Sequence, residues 1–311
     1  MDKKRTQNII AESRRTLPVA ITYGTGIWLL AGALQHGWWL QFICFFASVY
    51  TIVHLNNINL LIRIYSRSVS VFFILLGCAA TWLFPSIQTG VTSLFSALSL
   101  LLLFSCYQDK TSTGRTFYMF LLLSSMSLYE PYLLLFIPVY LILMAITIYS
   151  LSFRTFFAAL IGLITPYWLF TGWQLYLYRH QPEKSIEYLA RLTHMQWIAD
   201  YTAVSTAQWC YLGLLTVLFV VGAIHFWLTS YMDKIRVRQI YSSLIILTIY
   251  AIVWVAILPQ KCDTFICMLT ITVSPIAAHF FTLTRTRLSN IFYLVTMTAI
   301  VALTAMNLWI L

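Results

Sequence analysis

Apolar runs of about twenty residues recur along this chain from Pro18 to its end, most of them separated by only a few polar residues. A run of that length spans the hydrocarbon core of a bilayer, so the repeat of such runs constrains the fold more than any other feature. Composition agrees: 60% of the 311 residues are hydrophobic and 9% are charged, with a mean hydropathy of +0.82. A soluble domain carries roughly 25% charged residues to cover its surface. The expected fold is therefore an all-α integral membrane protein, a single bundle of about ten or eleven transmembrane helices over residues 1–311, with one short outer amphipathic helix.

The spans are expected near 17–34, 40–61, 68–85, 91–107, 116–129, 131–150, 155–177, 208–230, 239–258, 264–283 and 289–311. Residues 1–16 form a basic tail ahead of them. The first run lacks a small-residue cleavage site and is followed at once by another, so it reads as a retained helix and not a signal peptide. Trp38-Trp39 and Tyr167-Trp168 flank apolar runs, as interfacial anchors do.

Charge placement orients the bundle. With the amino terminus in the cytoplasm, fifteen cations lie inside: Lys3, Lys4, Arg5, Arg14, Arg15, Arg63, Arg67, Lys110, Arg115, Arg154, Lys234, Arg236, Arg238, Arg285 and Arg287. Four lie outside, Arg179, Lys184, Arg191 and Lys261, which matches the positive-inside pattern of a cytoplasmic membrane. The net charge of +10 then reflects topology and contact with anionic lipid, with no nucleic-acid partner implied.

This orientation depends on residues 116–150, which contain no polar loop. One helix through the stretch would be roughly 50 Å long, against a core of about 30 Å. It would also change the cation count to thirteen inside and six outside. Pro131 disfavours helical geometry at Glu130, so the chain is expected to reverse there. The helix before the turn is then only about 21 Å long, and the turn lies below the outer surface, where irregular backbone must be buried or line a cavity.

A carboxylate within apolar sequence is a candidate functional group, so Glu130 heads the site residues, with Asp263 as a second candidate acid. Tyr129, Tyr132, Arg179, His180 and Lys261 are the expected substrate-binding neighbours, and Asp200 lies close in sequence to the same outer loop. An acid among cations suits a phosphate- or sugar-bearing lipid head. In the outer loop, 178–207, Pro182 opens a segment that places Ile186, Leu189, Ala190 and Trp197 near one face, the pattern of an interfacial helix or lid. At the opposite face, His54, Asn56, Asn57 and Asn59 cluster ahead of Arg63; a polar patch that binds headgroups is one reading and interhelical hydrogen bonding the commoner one, while His225 and His279 read as isolated.

Zinc, hydrolase and nucleotide-binding motifs are absent, so no metal or cofactor is expected. The six cysteines sit mostly in or beside apolar runs and suggest no disulfide framework.

Two segments carry a resemblance. Ser127-Leu-Tyr-Glu-Pro-Tyr-Leu-Leu-Leu-Phe-Ile-Pro, continuing through Ser152-Phe-Arg-Thr-Phe to Gly162-Leu-Ile-Thr-Pro166-Tyr, and Ser274-Pro-Ile-Ala-Ala-His-Phe-Phe, resemble uncharacterised multi-span inner-membrane proteins of Gram-negative bacteria. That resemblance implies an envelope setting. The chain is more distantly similar to multi-span glycosyltransferases that use polyprenyl-phosphate sugars, which implies a lipid-linked glycan as partner beside the membrane lipids. Those enzymes carry a catalytic acid in a long first outer loop, whereas this loop is only Gln35 to Trp39 and holds no carboxylate. Glu130 or Asp263 would have to take that place. The leading expectation is envelope biogenesis with a lipid-linked substrate handled at the outer face; a transferase, a transporter and a subunit of a membrane complex are the alternatives. The sequence neither supports nor excludes a protein partner.

Overall fold

The computed structural model describes residues 5–179 and 197–310, and all regular structure among them is helical. The helices are α1 (Thr6–Glu12), α2 (Thr16–Leu30), α3 (Trp39–Asn59), α4 (Ser68–Ala79), α5 (Ile87–Ser105) and α6 (Thr113–Ser127). They continue as α7 (Phe136–Ile146), α8 (Phe153–Leu177), α9 (Thr206–Thr229), α10 (Ile235–Ile257), α11 (Cys262–Leu283) and α12 (Arg287–Ile310). Each of the eleven expected spans coincides with one of α2–α12. Seven, α3, α5, α8, α9, α10, α11 and α12, are long and apolar enough to cross a membrane. The protein is thus a polytopic helical membrane protein. The expected amphipathic segment over Pro182 to Arg191, with His180, lies outside the described residues.

The chain divides into two compact units, Met1–Leu94 with Asp200–Leu311, and Phe95–Ala199. In the first unit α11 is the axis: 89% of its membrane-length window is buried, and α4, α9 and α10 pack around it. Close approach needs small residues. A Cβ at Gly222 of α9 would lie 2.6 Å from Ile276 Cγ2, and one at Gly77 of α4 would lie 2.6 Å from the Phe45 ring.

Polar groups then join the helices, because hydrocarbon supplies no water to satisfy them. The Tyr211 hydroxyl of α9 bonds the Leu76 carbonyl at 2.9 Å and the Thr270 hydroxyl at 3.0 Å, while Thr248 of α10 donates to Thr272 at 2.9 Å. In the basic tail, Thr6–Glu12 form α1. Gln7 and Asn8 of α1 donate to the Thr284 carbonyl at 2.6 and 3.0 Å, capping the end of α11.

The second unit shows the reversal at Glu130. The Tyr129 and Glu130 amides both donate to the Met126 carbonyl at 3.1 Å, and Glu130 takes the extended backbone that precedes a proline. A tight helical turn, Pro131–Leu135, then leads into α7. The return is fixed at the far end: the Gln108 amide donates to the Ile148 carbonyl, and the Ser152 hydroxyl to the Lys110 carbonyl, both at 2.8 Å. The hydroxyls of Ser99 and Tyr140 also meet at 2.8 Å, so α5 and α7 run in the same direction. Bonds from Ser124 to Leu163 and between Ser127 and Tyr167 make α6 and α8 run together in the other.

Lys110, Arg115 and Arg154 therefore share one end of this unit. In the loop there, hydrogen bonds from the Thr111 side chain and amide hold the Asp109 carboxyl below its ordinary range. Ser152 and Thr155 form a reciprocal cap on α8.

Single cysteines replacing Lys110 and Arg154 should react with a membrane-impermeant maleimide from the same side; labelling from opposite sides would break the reversal. Gly162 sits where α8 crosses α6, and a Cβ there would lie 2.5 Å from the Phe117 carbonyl oxygen. Gly162→Val should lower stability in detergent by about 1–3 kcal/mol, read as a drop in melting temperature.

Candidate functional site

Two chain reversals in the first unit bring charged residues together. Helix α3 ends at Asn59, and Leu60 takes a left-handed conformation (φ 48°) that turns the chain back toward α4. Asn56 holds this return by donating to the Ser66 carbonyl at 3.1 Å, and the Ser66 hydroxyl donates to the Ala11 carbonyl at 2.8 Å. The second reversal joins α9 to α10 through Ser230–Met232 and Asp233, whose amide donates to the Ser230 carbonyl at 3.0 Å.

Between the two lies a cavity of about 370 Å³, whose polar lining includes Asn56, Asn57, Arg63, Arg67, Asp233 and Lys234. Three cations face one carboxylate, leaving two positive charges in excess. The Asp233 side chain is wholly shielded from solvent. Arg63 Nε lies 3.0 Å from Asp233 Oδ1, and His279 Nε2, at the buried end of α11, lies 3.2 Å from Oδ2. The surplus therefore resides on Arg67 and Lys234, neither of which has an ion pair among the described residues. Arg67 is braced by its bond to the Tyr65 hydroxyl at 3.0 Å and by the Tyr65 ring.

Behind Asp233 the polar chain continues inward. The His279 ring centroid is 5.6 Å from that of His225 and 4.8 Å from that of Tyr241. The two histidines expected to be isolated are neighbours, because α9 and α11 approach closely at Gly222 and Ile276.

The residues singled out from sequence fall into separate groups. Asp263 sits in the first turn of α11, where Oδ1 accepts from Trp82 Nε1 at 3.0 Å and Gln208 Nε2 at 2.7 Å. Those bonds and the favourable helix N-terminus make it a clamp between α11, α9 and the residues after α4. Lys261 lies beside it in the turn Pro259–Lys261. Asp263 and His279 are sixteen residues apart on one helix, about 24 Å, so Asp263 and the cavity lie at opposite ends of this unit.

Glu130, exposed Tyr129 and buried Tyr132 share the turn of the second unit, where Tyr132 meets Trp197 edge-on at 6.4 Å. Arg179 is exposed just beyond α8. Asp200, in the first unit, accepts from the Thr202 amide and hydroxyl at 3.0 and 2.6 Å, which holds its carboxyl below the usual range.

From sequence, Arg67, Asp233 and Lys234 read as loop charges, whereas Arg63 follows the Asn56-Asn57 patch, for which interhelical bonding is favoured over headgroup binding. The available signal was an aspartate within Met232-Asp-Lys-Ile-Arg-Val-Arg238, together with the histidine sixteen residues into the α11 span. The fold is that of a polytopic membrane protein, and its first unit holds a cavity lined by three cations and one carboxylate at one end. Comparison with family models, with curated proteins and with solved structures finds no match to the chain.

Removing one partner of a buried ion pair costs about 3–5 kcal/mol, because the other charge is left unpaired. Asp233→Ala should therefore lower thermal stability in detergent strongly. His279→Ala in that background should add much less than His279→Ala alone, and additive losses would show that the two do not interact.

Proposed function

We propose that the protein binds the phosphate-bearing headgroup of a lipid-linked substrate in the cavity around Arg67 and Lys234, as part of bacterial envelope biogenesis in the inner membrane. The observation that carries this reading is the uncompensated positive charge of a cavity that also presents Asn56, Asn57, Tyr65 and Ser66 beside apolar Leu60, Ile62 and Val237. Phosphate oxygens accept charge-assisted bonds from arginine and lysine, and the asparagine amides of Asn56 and Asn57 suit attached hydroxyls. By the positive-inside pattern this end faces the cytoplasm, as does the amino terminus. The inner end is favoured over the outer because Asp263 is already engaged as a helix clamp, whereas Arg67 and Lys234 are available.

A glycosyltransferase would need a carboxylate free to take a proton near the headgroup. Asp233 lines the cavity but is held by Arg63 and His279, which supports binding over base catalysis.

Farnesyl phosphate and farnesol distinguish headgroup from chain. Purified protein should bind farnesyl phosphate far more tightly, and Arg67→Gln with Lys234→Gln should weaken that binding tenfold or more, since each charged hydrogen bond contributes about 1.5–3 kcal/mol. Asp263→Asn should leave it unchanged. Equal affinity for the two compounds, or an unaltered double variant, would remove the pocket from the function.

A further inference from the structure

A second cavity lies on the other side of the α9–α10 turn. Helices α9 and α10 both pack on α11, leaving between them a groove of about 720 Å³. Its walls are apolar, with Phe219, Ala223 and Trp227 on one side and Ile245, Ile246 and Ile249 on the other. Phe226, stacked on buried Tyr241 at 5.0 Å, lies at its base. The rim is exposed: Trp227 is 85% and Ile249 50% accessible, so the groove opens toward the hydrocarbon that surrounds a spanning helix.

One end is polar. Ser230, Arg238, Gln239 and Ser242 line it, and Arg238 has no ion pair among the described residues. From Arg238 to Ile249, and from Ser230 back to Phe219, each wall rises through eleven residue steps, about 16 Å of helix. That is about half of a hydrocarbon core of roughly 30 Å, the depth of one leaflet.

From this geometry we infer that the groove is a binding site for one anionic phospholipid, with its phosphate at Arg238 and an acyl chain laid between α9 and α10. Charge complementarity selects the headgroup, because a cation at the interface attracts anionic lipid and the Gln239 side-chain amide adds a donor to phosphate oxygens. The length selects the chain. A helix of a second copy would run the full thickness of the membrane and overhang a groove that ends at mid-depth. The site uses different residues from the Arg67 and Lys234 cavity and stands independently of it.

Native mass spectrometry of the full chain in mild detergent, titrated with phosphatidylglycerol or phosphatidylcholine of the same palmitoyl-oleoyl chains, tests this. Wild type should retain one phosphatidylglycerol in preference to phosphatidylcholine, and Arg238→Gln should cut that preference by about fivefold. Ala223→Trp, which fills the groove from its lipid-facing side, should remove the bound lipid with little change in melting temperature. Arg67→Gln with Lys234→Gln should leave the bound lipid in place, separating this site from the headgroup cavity. Equal retention of both lipids, an unchanged preference in Arg238→Gln, or a dimer that Ala223→Trp dissociates would overturn the assignment, the last by making a second copy the occupant.

Discussion

The first unit depends on enclosing α11, 89% of whose membrane-length window is buried. A helix at the centre of a membrane bundle is shielded from both water and lipid, so every polar side chain on it needs a protein partner. Along α11, Thr270 donates to Ile266 at 2.9 Å and Thr272 to Met268 at 3.1 Å, returning their hydroxyls to the helix backbone. The same hydroxyls meet neighbouring helices, Thr270 paired with the Tyr211 hydroxyl and Thr272 accepting from Thr248. The ends are held electrostatically: Asp263 takes two hydrogen bonds at the first turn, and His279 reaches Asp233 near the last. Translation of α11 along its axis would break both ends at once, which fixes the register of α9 and α10 on either side.

That register creates the cavity. Asp233 is drawn inward to His279, carrying the α9–α10 turn with it, and Arg63 follows from the opposite loop to complete the pair. Neighbouring Arg67 and Lys234 are thereby placed at an opening whose only carboxylate is already neutralised by Arg63. The excess charge of the site is a consequence of how α11 is anchored, and the same aspartate serves both folding and electrostatics.

Much of this architecture was legible in sequence because hydrocarbon imposes a length and proline imposes a direction. The eleven apolar runs mark α2–α12, and Glu130-Pro131 marks the reversal that puts Arg154 at the same end as Lys110. The site was far less legible. Arg63 and Asp233 are 170 residues apart, and Asp233 and His279 are forty-six, so nothing local signals that they meet. Conversely, Asp263 stands out as an acid beside an apolar run, yet its partners Trp82 and Gln208 give it a structural task. The position of an acid in hydrophobic sequence indicates that it has partners, without distinguishing a helix clamp from a ligand site.

The run Lys234-Ile-Arg-Val-Arg238 shows how adjacent cations of one turn come to line different cavities. A positive-inside bias depends on how many cations a short turn holds, wherever their side chains point. Backbone geometry then separates them. Lys234 precedes α10 in an extended conformation (φ −60°, ψ 147°), which takes it off the helical screw and into the cavity. Arg236 turns to Asn59, donating to its side-chain oxygen at 2.7 Å and tying α10 to the end of α3. Arg238, one turn into the helix, lines the groove on the other side. On a continuous helix residues 234 and 238 would share a face. The helix start between them divides one basic cluster into a lysine lining the cavity, a structural bond to Asn59 and an arginine lining the groove.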